Sequence, residues 1–507
     1  MWRPPERIKW EPQPGKWPSR KAASRSKLFS SINVGPVELE QRTWIPAMVP
    51  WRSTGDGIVT PEVLDWYSRF ARGRPGAIVV EATGIRDIPS GPLLRIGDDR
   101  FVDGLRTLVE TVRESSGGHT RLFIQCIDFL AIRRRPNPEK FLREYLTITD
   151  SHRKLLGADG WSEDRIREHL VSLSDEKLSS ILDERELESL RMGYRERVTD
   201  THLPQIAKLP QVLPDLFAGA AARAKDAGFD GIELHYAHAY TMSSLLSRLN
   251  TRQDGYGGTI ENRLRLPLEV FEAVRATVGQ DYAVGCRYLA DDVVDGGNTV
   301  EDAAQIGVAF ADAGMDFLSL SRGGRFEDAQ QPSVGAAAYP YTGPSGYECM
   351  PQYYSDEKGP FGRNFEPSSY IRNAIRSAGY RTPVVVTGGV HGFQQAEDIL
   401  AEENGDIIGF ARQSLADPDW FLKVRLGRGA ENIVCEYSNY CEALDQRHVQ
   451  VTCKLWDRLN MDEDGILKTP DGKRRLSAPV WEPDLDIDHA LCNQGKMTPG
   501  RPVKRNI

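Results

Sequence analysis

The chain has 507 residues, of which 40% are hydrophobic and 27% are charged, a balance that allows a sizeable core and a soluble surface. Its net charge of -8 gives no indication of a nucleic-acid partner, and no apolar run is long enough to span a bilayer. The N-terminus lacks the apolar region of a signal peptide and seven cysteines are too few for a disulfide scaffold, so we expect a cytoplasmic enzyme with reduced thiols.

Short apolar runs bounded by glycine, proline or charge recur along the chain and predict strands. In chain order they cover 43–49, 76–82, 121–126, 231–235, 282–288, 317–321, 383–389 and 406–412. Segments with helical periodicity lie between most of them, as in 213–228, 263–279 and 299–314. Strands that alternate with helices indicate parallel βαβ units, and eight of them predict a (β/α)8 TIM barrel. A doubly wound open sheet is the structural alternative.

The remaining length is assigned to additions around this barrel. We expect an N-terminal arm over 1–40 that ends in a hairpin under the barrel, a barrel over 41–430 with insertions at 131–208 and 323–370, and a cysteine-bearing C-terminal extension over 431–507. Both insertions follow strand C-termini, which form the catalytic face of a barrel, so both are candidate lids. An equally weighted alternative for each insertion is a surface addition without a role in catalysis, or a contact between subunits of an oligomer.

Functional groups collect where the predicted strands end. In chain order the ends carry Met48 and Val49, Ala82, Gln125, His235 with His238 and Tyr240, Arg287, Gly388 with Gly389, and Ala411 with Arg412. A Gly-Gly turn leaves backbone N–H groups open to close approach, and the loops after the last two strands are the usual phosphate site of such barrels. We therefore expect a phosphorylated ligand near Gly388, Gly389 and Arg412.

Gln125 and Arg287 indicate what else this ligand carries. A glutamine amide both donates and accepts hydrogen bonds, and an arginine in an apolar strand is costly unless it meets an anion or an electron-rich ring. Together they suit the pyrimidine edge of a flavin, whose reduced ring is negatively charged.

The stretch "HYAHAY" places His235 and His238 where two N–H donors could converge on one substrate carbonyl oxygen. Tyr240 follows closely and could deliver a proton. A metal site is the alternative, because His-x-x-His is a ligand spacing. No carboxylate or third histidine stands at a comparable strand end to complete such a site, so we rank the metal site lower.

The segment "AGFDGIELHYAHAYTMSSLLSRLNTRQDGYGGTIENRLRLPLEVFEAVRATVG" (227–279) resembles the signature of the old yellow enzyme family of flavin-dependent oxidoreductases. The shorter motifs "PVELEQRTWIPAMV", "VVEATGI", "LFIQC", "VGCRY", "VVVTGGV" and "GFARQSLADPDW" follow in family order. The resemblance covers roughly 28–130 and 205–430, and the branch it indicates is similar to the barrel domain of dienoyl-CoA reductase and trimethylamine dehydrogenase.

The resemblance implies a bound FMN that is reduced by NAD(P)H and then reduces an activated C=C bond. By position, the flavin would be held by the backbone near Met48 and Ala82 and by the side chains of Gln125 and Arg287. Its phosphate would lie at Gly388, Gly389 and Arg412, beside Ala411, which replaces a common glycine. His235 and His238 would grip the substrate carbonyl, and Tyr240 would be the acid. Val49 and Ile127 depart from the family, which usually has Thr or Cys at the first position and an aromatic residue at the second.

Three cysteines near the C-terminal end resemble part of a [4Fe–4S] site. In longer relatives four cysteines after the barrel hold the cluster, and Cys435, Cys441 and Cys453 match three of them, while Ser438 occupies the second position. Because clusters are normally held by four thiolates, loss of the cluster is the simpler interpretation. A serine ligand or a three-cysteine cluster is the alternative.

The predicted function is therefore NAD(P)H-linked reduction of an α,β-unsaturated carbonyl compound by an FMN enzyme with a small-molecule substrate. A flavin-dependent amine or alcohol dehydrogenase or demethylase would keep the fold and reverse the chemistry. A metal-dependent hydrolase or lyase that uses the two histidines is an alternative of another class. A flavin subunit that takes its electrons from a partner protein is a further alternative, and a homo-oligomer is left open.

Overall fold

The computed structural model describes residues 14–482 apart from 87–90, 132–136, 193–195, 295, 324–360, 363, 439 and 446. Most of the predicted insertion at 323–370 therefore lies outside the described residues. The same holds for the beginning of the N-terminal arm and for the end of the C-terminal extension.

The strands form a hairpin and a closed barrel. Their bounds are β1 Ile32–Val34, β2 Val37–Leu39, β3 Thr43–Ile45, β4 Ala77–Gly84, β5 Arg121–Ile127, β6 Gly231–Tyr236, β7 Ala283–Leu289, β8 Leu318–Ser321, β9 Val384–Thr387 and β10 Ile407–Gly409. β1 and β2 pair antiparallel, and the parallel strands β3 to β10 close in chain order, with β10 beside β3. The predicted (β/α)8 barrel is confirmed, and the open-sheet alternative is wrong because no gap interrupts this ring of strands.

The bounds of the helices are α1 Arg20–Ala23, α2 Pro61–Arg72, α3 Val102–Ser116, α4 Pro138–Lys140, α5 Asp150–Leu156, α6 Glu163–Ser172, α7 Asp175–Ile181, α8 Glu184–Met192, α9 Pro204–Ala207, α10 Leu209–Ala227, α11 Thr241–Leu246, α12 Ile260–Val278, α13 Val300–Asp312, α14 Phe365–Ser377, α15 Phe393–Ala401, α16 Arg412–Ala416, α17 Trp420–Arg425 and α18 Tyr440–Asp445. α1 precedes the hairpin, most of the other helices lie in the connections between barrel strands, and α16 to α18 follow the last strand. None of the helices in the described part of the chain is both long and apolar enough to cross a membrane.

The barrel interior changes from apolar to polar toward the carboxyl ends of the strands. The lower layer is a buried cluster that includes Trp44, Phe123 and Phe317, and the hairpin closes it from below with Val34 and Leu39. Since strand side chains alternate between the two faces, the next inward positions are polar or glycine: Gln125, Glu233, Gly285, Ser319, Thr387 and Gly409. The apolar layer supports the fold, and the polar layer above it is where a ligand could bind.

Three strands, β3, β9 and β10, end before the apolar runs that predicted them. β3 ends at Ile45, just before Pro46, because proline has no N–H to continue the strand ladder. Met48 therefore lies in the following loop. β10 ends at Gly409, and Arg412 already begins helix α16.

The segment between β5 and α10 carries its own small core, which includes Phe141, Ile166 and Leu170. It returns to the barrel next to the signature motif, where the buried Arg252 donates to the carbonyl oxygens of Val198 and Ile206 at 2.7 and 3.1 Å. The conspicuous "NTRQD" stretch is therefore partly structural, since it attaches this inserted segment to the barrel.

The described part of the C-terminal extension packs against α2. Arg69 forms a buried ion pair with Asp419 and donates to the carbonyl oxygens of Ala478 and Pro479, at 3.0 and 2.7 Å. A single buried guanidinium thus connects α2, the loop before α17 and the extension.

Candidate active site

The predicted catalytic residues lie at the carboxyl end of β6, on the inner wall of the barrel. His235 pairs in register with Arg287 of β7, and Arg287 pairs with Ser319 of β8. Both His235 and Arg287 are inward positions, one step above the polar layer, and 3% and 8% of their surfaces are exposed. Strand alternation thus places a histidine and an arginine side by side at the mouth of the barrel.

His235 is held as a neutral hydrogen-bond donor. The backbone N–H of Ala237 donates to its Nδ1 at 3.2 Å, so in the neutral ring the proton is on Nε2. Burial, followed by the charge of Arg287, lowers the pKa of His235 to about 3. At neutral pH the imidazole therefore offers an uncharged N–H.

A turn in the left-handed backbone conformation places the side chain of His238 next to that of His235. His238 and Ala239 have φ angles of 61° and 58°, and this turn brings the two imidazoles to 5.2 Å between ring centroids, at 78°. The Nε2 of His238 lies 2.7 Å from the hydroxyl of Ser321 at the end of β8. Burial, the neighbouring His235 and then Arg287 hold the pKa of His238 well below its ordinary value.

Tyr240 completes the group of side chains. Its ring centroid lies 5.1 Å from that of His235, nearly perpendicular to it, and 5.3 Å from the ring of Phe129 after β5. The structure therefore brings together His235, His238 and Tyr240, the three side chains for which the sequence predicted catalytic roles.

The polar layer beneath this group contains a residue that sequence reasoning missed. Glu233 accepts a hydrogen bond from the side-chain amide of Gln125 at 2.6 Å. Its signal was available, because a carboxylate in the apolar run "GIELH" is costly to bury unless it has partners. Arg287 lies nearby with its Nη2 3.5 Å from the hydroxyl of Ser321, and its buried Nε and Nη1 have no hydrogen-bond partner among the residues that the structure describes. The guanidinium can therefore still bind an anionic or polar ligand group.

The predicted phosphate residues lie at the neighbouring ends of β9 and β10, which pair through Thr387 and Gly409. Gly388 and Gly389 have φ angles of 127° and 73°, in the region that favours glycine. Ala411 directly precedes α16.

Arg412 is directed toward the C-terminal extension. Its guanidinium carbon lies 4.5 Å from the centroid of the Tyr437 ring. Burial alone would lower the pKa of Arg412, but Tyr437 and the thiols of Cys435 and Cys441 outweigh burial and raise it. Arg412, at the start of α16, therefore borders the cysteine pocket with its cation.

The two remaining predicted flavin contacts are Ala82, near the carboxyl end of β4, and Met48, in the loop after β3. Ala82 is buried in β4, and Met48 is half-buried and packs against the main core. Strand register shifts between Val80 and Thr83, and Glu81 between them bonds to the hydroxyl of Tyr67 on α2. This bulge turns Glu81 out of the interior, so it is not part of the site.

The three cysteines and Ser438 line one small cavity beside Arg412. Burial raises the pKa of Cys441 and of Cys453 to about 12 and also raises that of Cys435, so the thiols are protonated at neutral pH. Within the ranges that the structure describes, no three His, Cys, Asp or Glu side chains are grouped so as to hold a metal ion. The donor set of three thiols and one hydroxyl does not match the four thiolates that clusters normally have.

Comparisons with known proteins identify the family and the fold. The family model described as "NADH:flavin oxidoreductase / NADH oxidase family" matches residues 207–431. The chain is 28% identical to an NADH oxidase of Thermoanaerobacter brockii over 80% of its length and 52% of the relative. It is 30% identical to the 4,4'-dithiodibutanoate disulfide reductase of Rhodococcus erythropolis, over 83% of its length and 93% of that relative.

Among solved structures, an old yellow enzyme homologue from Zymomonas mobilis superimposes with a TM-score of 0.53 at 19% identity, over 90% of this chain and 100% of that one. This likeness shows the fold. The chain spans about half the length of several curated relatives that it matches.

Proposed function

The chain belongs to the NADH:flavin oxidoreductase / NADH oxidase family, and from that premise we propose that it is an FMN-dependent, NAD(P)H-linked reductase of activated C=C bonds in α,β-unsaturated carbonyl compounds. The observation that carries this proposal is the neutral His235 next to His238 and Tyr240 and beside the buried Arg287.

The residues at the mouth of the barrel fit a flavin. Within the described part of the chain, two buried nitrogen atoms of Arg287 have no partner, and a carbonyl oxygen or an anionic ring could use them. The glycines at the end of β9 open the backbone where a phosphate would approach. The flavin ring would be held by Gln125 and Arg287, and its remaining edge by the backbone near Met48 and Ala82. The phosphate would be held by Gly388, Gly389 and Arg412. FMN, when bound, would supply the hydride transfer between nicotinamide and substrate.

The chain's own residues would prepare the substrate. The Nε2–H of His235 would donate to the substrate carbonyl oxygen, and His238 would add a second donor in exchange for its bond to Ser321. Drawing electron density toward this oxygen makes the β-carbon more electrophilic. Tyr240, next to His235, would hold the proton for the α-carbon. Because both imidazoles are neutral, they would polarise the carbonyl without protonating it.

A disulfide substrate is a second candidate. The observation in its favour is the 30% identity to a relative that is named a 4,4'-dithiodibutanoate disulfide reductase and that this chain covers to 93%. In this case Tyr240 would protonate the leaving thiolate, and the two histidines would have no carbonyl to bind.

The deciding experiment is the visible spectrum of the purified protein, recorded anaerobically before and after NADH and NADPH are added. We expect a flavin spectrum that bleaches with one of the two donors and recovers when 2-cyclohexenone is added. Recovery only with a linear disulfide would favour the second candidate. A flavin that neither nucleotide bleaches, but that an amine or an electron-donor protein does, would contradict the NAD(P)H-linked assignment.

A further inference from the structure

Glu233 is a buried acid inside the barrel that takes no part in the proposed reaction steps. It lies in the middle of β6, one inward position below His235, and its surface is fully buried. Burial raises the pKa of its carboxyl group, while the charge of Arg287 and the hydrogen bond from Gln125 oppose that rise. An acid placed this deeply is costly to the fold unless its partners need it.

We propose that Glu233 is a positioning residue of the flavin site, which fixes the amide of Gln125 and offsets part of the charge of Arg287. This inference rests on the proposed FMN site. Glu233 would not touch the reacting atoms, since it lies beneath the layer that carries the histidines and Arg287.

The orientation of Gln125 follows from the chemistry of its partner. The Nε2 of Gln125 donates to the carboxyl oxygen of Glu233 at 2.6 Å, so the group of Gln125 that faces Glu233 is its NH2. The carbonyl oxygen of the same amide then points away from Glu233. A flavin has one N–H donor, N3–H, on its pyrimidine edge between two carbonyl groups. A fixed amide oxygen suits that donor, whereas a freely flipping amide would offer it an NH2 half of the time.

The charge of Arg287 follows the same logic. Burial lowers the pKa of Arg287 and Glu233 raises it, so the carboxylate helps to keep the guanidinium charged. The pair also limits the net positive charge beneath the ring. A cation at this edge stabilises the negatively charged reduced flavin, and a carboxylate beside the cation moderates that stabilisation. Glu233 would thus set both the hydrogen-bond pattern and the redox potential of the bound flavin.

The test compares Glu233→Gln with wild type in FMN titrations of the apoprotein and in anaerobic potential measurements against a reference dye. We expect the variant to bind oxidised FMN about tenfold more weakly, because its amide partner no longer forces one orientation on Gln125. Reduced FMN should bind about equally, since the unopposed Arg287 compensates. A tenfold difference between the two redox states corresponds to a potential about 30 mV higher.

Glu81→Gln is the matched control. Glu81 is also fully buried, but it faces Tyr67 outside the barrel interior, so its variant should leave FMN affinity and potential unchanged. If Glu233→Gln binds oxidised FMN as wild type does and keeps its potential, the role of Glu233 is refuted while the proposed function stands. Wild-type protein that binds no FMN would refute both.

A second measurement covers a variant that fails to fold. Wild-type apoprotein is titrated with FMN and with 3-methyl-FMN, which lacks the N3–H donor. We expect the methylated flavin to bind at least about tenfold more weakly, because it loses a hydrogen bond and leaves a buried amide oxygen unpaired. Equal binding of the two flavins would show that Gln125 does not present a fixed acceptor, and the proposal would fail.

Discussion

Replacing His235 with alanine tests whether this side chain stabilises negative charge on a substrate oxygen. The bond from the backbone of Ala237 to Nδ1 leaves Nε2–H as the donor, and the site excludes water at this position, since 3% of the residue is exposed. Removing one donor from a buried oxyanion-type site lowers the rate by about 100- to 1,000-fold, or about 3–4 kcal/mol. We expect a loss of this size in the substrate-reducing half-reaction.

The pH dependence provides an independent check. The pKa of His235 lies at about 3, below its ordinary value, so the ring stays neutral as pH falls. An imidazole with an ordinary pKa would instead become charged between about pH 5 and 8. We therefore expect the wild-type rate of substrate reduction to show no imidazole titration in that range.

Anaerobic stopped-flow absorbance separates the two half-reactions. His235→Ala should slow reoxidation of the flavin by an enone far more than its reduction by nicotinamide, and His235→Asn, which keeps an N–H donor, should recover part of the rate. His119→Ala is the control, because His119 is another buried histidine that pairs with Glu40 at 2.9 Å, just before β5 begins. Equal slowing of both half-reactions, or an unchanged enone rate, would refute the donor role.

Three further changes have defined outcomes. Tyr240→Phe should slow enone reduction and leave flavin reduction nearly unchanged in stopped-flow traces, since the ring stays and only the proton donor is lost; equal rates in both would remove its role. Burial raises the pKa of Glu81 from 4.5 to about 8, so between these pH values the folded state keeps a proton that the unfolded state has released. The free energy of unfolding of the wild type should therefore fall as pH rises through this range, by about 5 kcal/mol at most. Urea unfolding of Glu81→Gln should show a smaller fall over the same pH range, and an equal fall in both proteins would contradict this expectation. Arg69→Met should leave the carboxylate of Asp419 buried and unpaired, with a loss of about 3–5 kcal/mol and faster proteolysis of the extension near Ala478, whereas an unchanged cleavage rate would show that the extension is held elsewhere.

Most of the fold could be predicted from the sequence because its signals are local. Each of the apolar runs overlaps an observed barrel strand, since a buried parallel strand needs a continuous apolar stretch and a turn at each end. The errors fell at the strand ends, where Pro46 and the start of α16 stop the ladder earlier than hydrophobicity indicates. The hairpin under the barrel was expected, and Val34 and Leu39 show why it is apolar.

The site was predictable in its residue types and less so in its contacts. Strand alternation made His235 and Arg287 inward neighbours as soon as their strands paired. An acid in an apolar strand indicates that it has a partner, but the role of Glu233 could not be predicted because that partner, Gln125, lies on another strand. The surroundings of the three cysteines also could not be predicted, because their spacing alone does not show that Arg412 borders their pocket.

Local sequence patterns are enough to predict a barrel of parallel strands with histidine, tyrosine, arginine and glycine at the strand ends, because strand period and turn chemistry act over a few residues. The contacts of each of these groups follow from the folded chain. His238 contacts the hydroxyl of Ser321, 83 residues further along the chain, and Arg412 stacks on Tyr437 of the extension. Such contacts arise from closure of the barrel and from packing against it, which bring together groups that no local pattern relates.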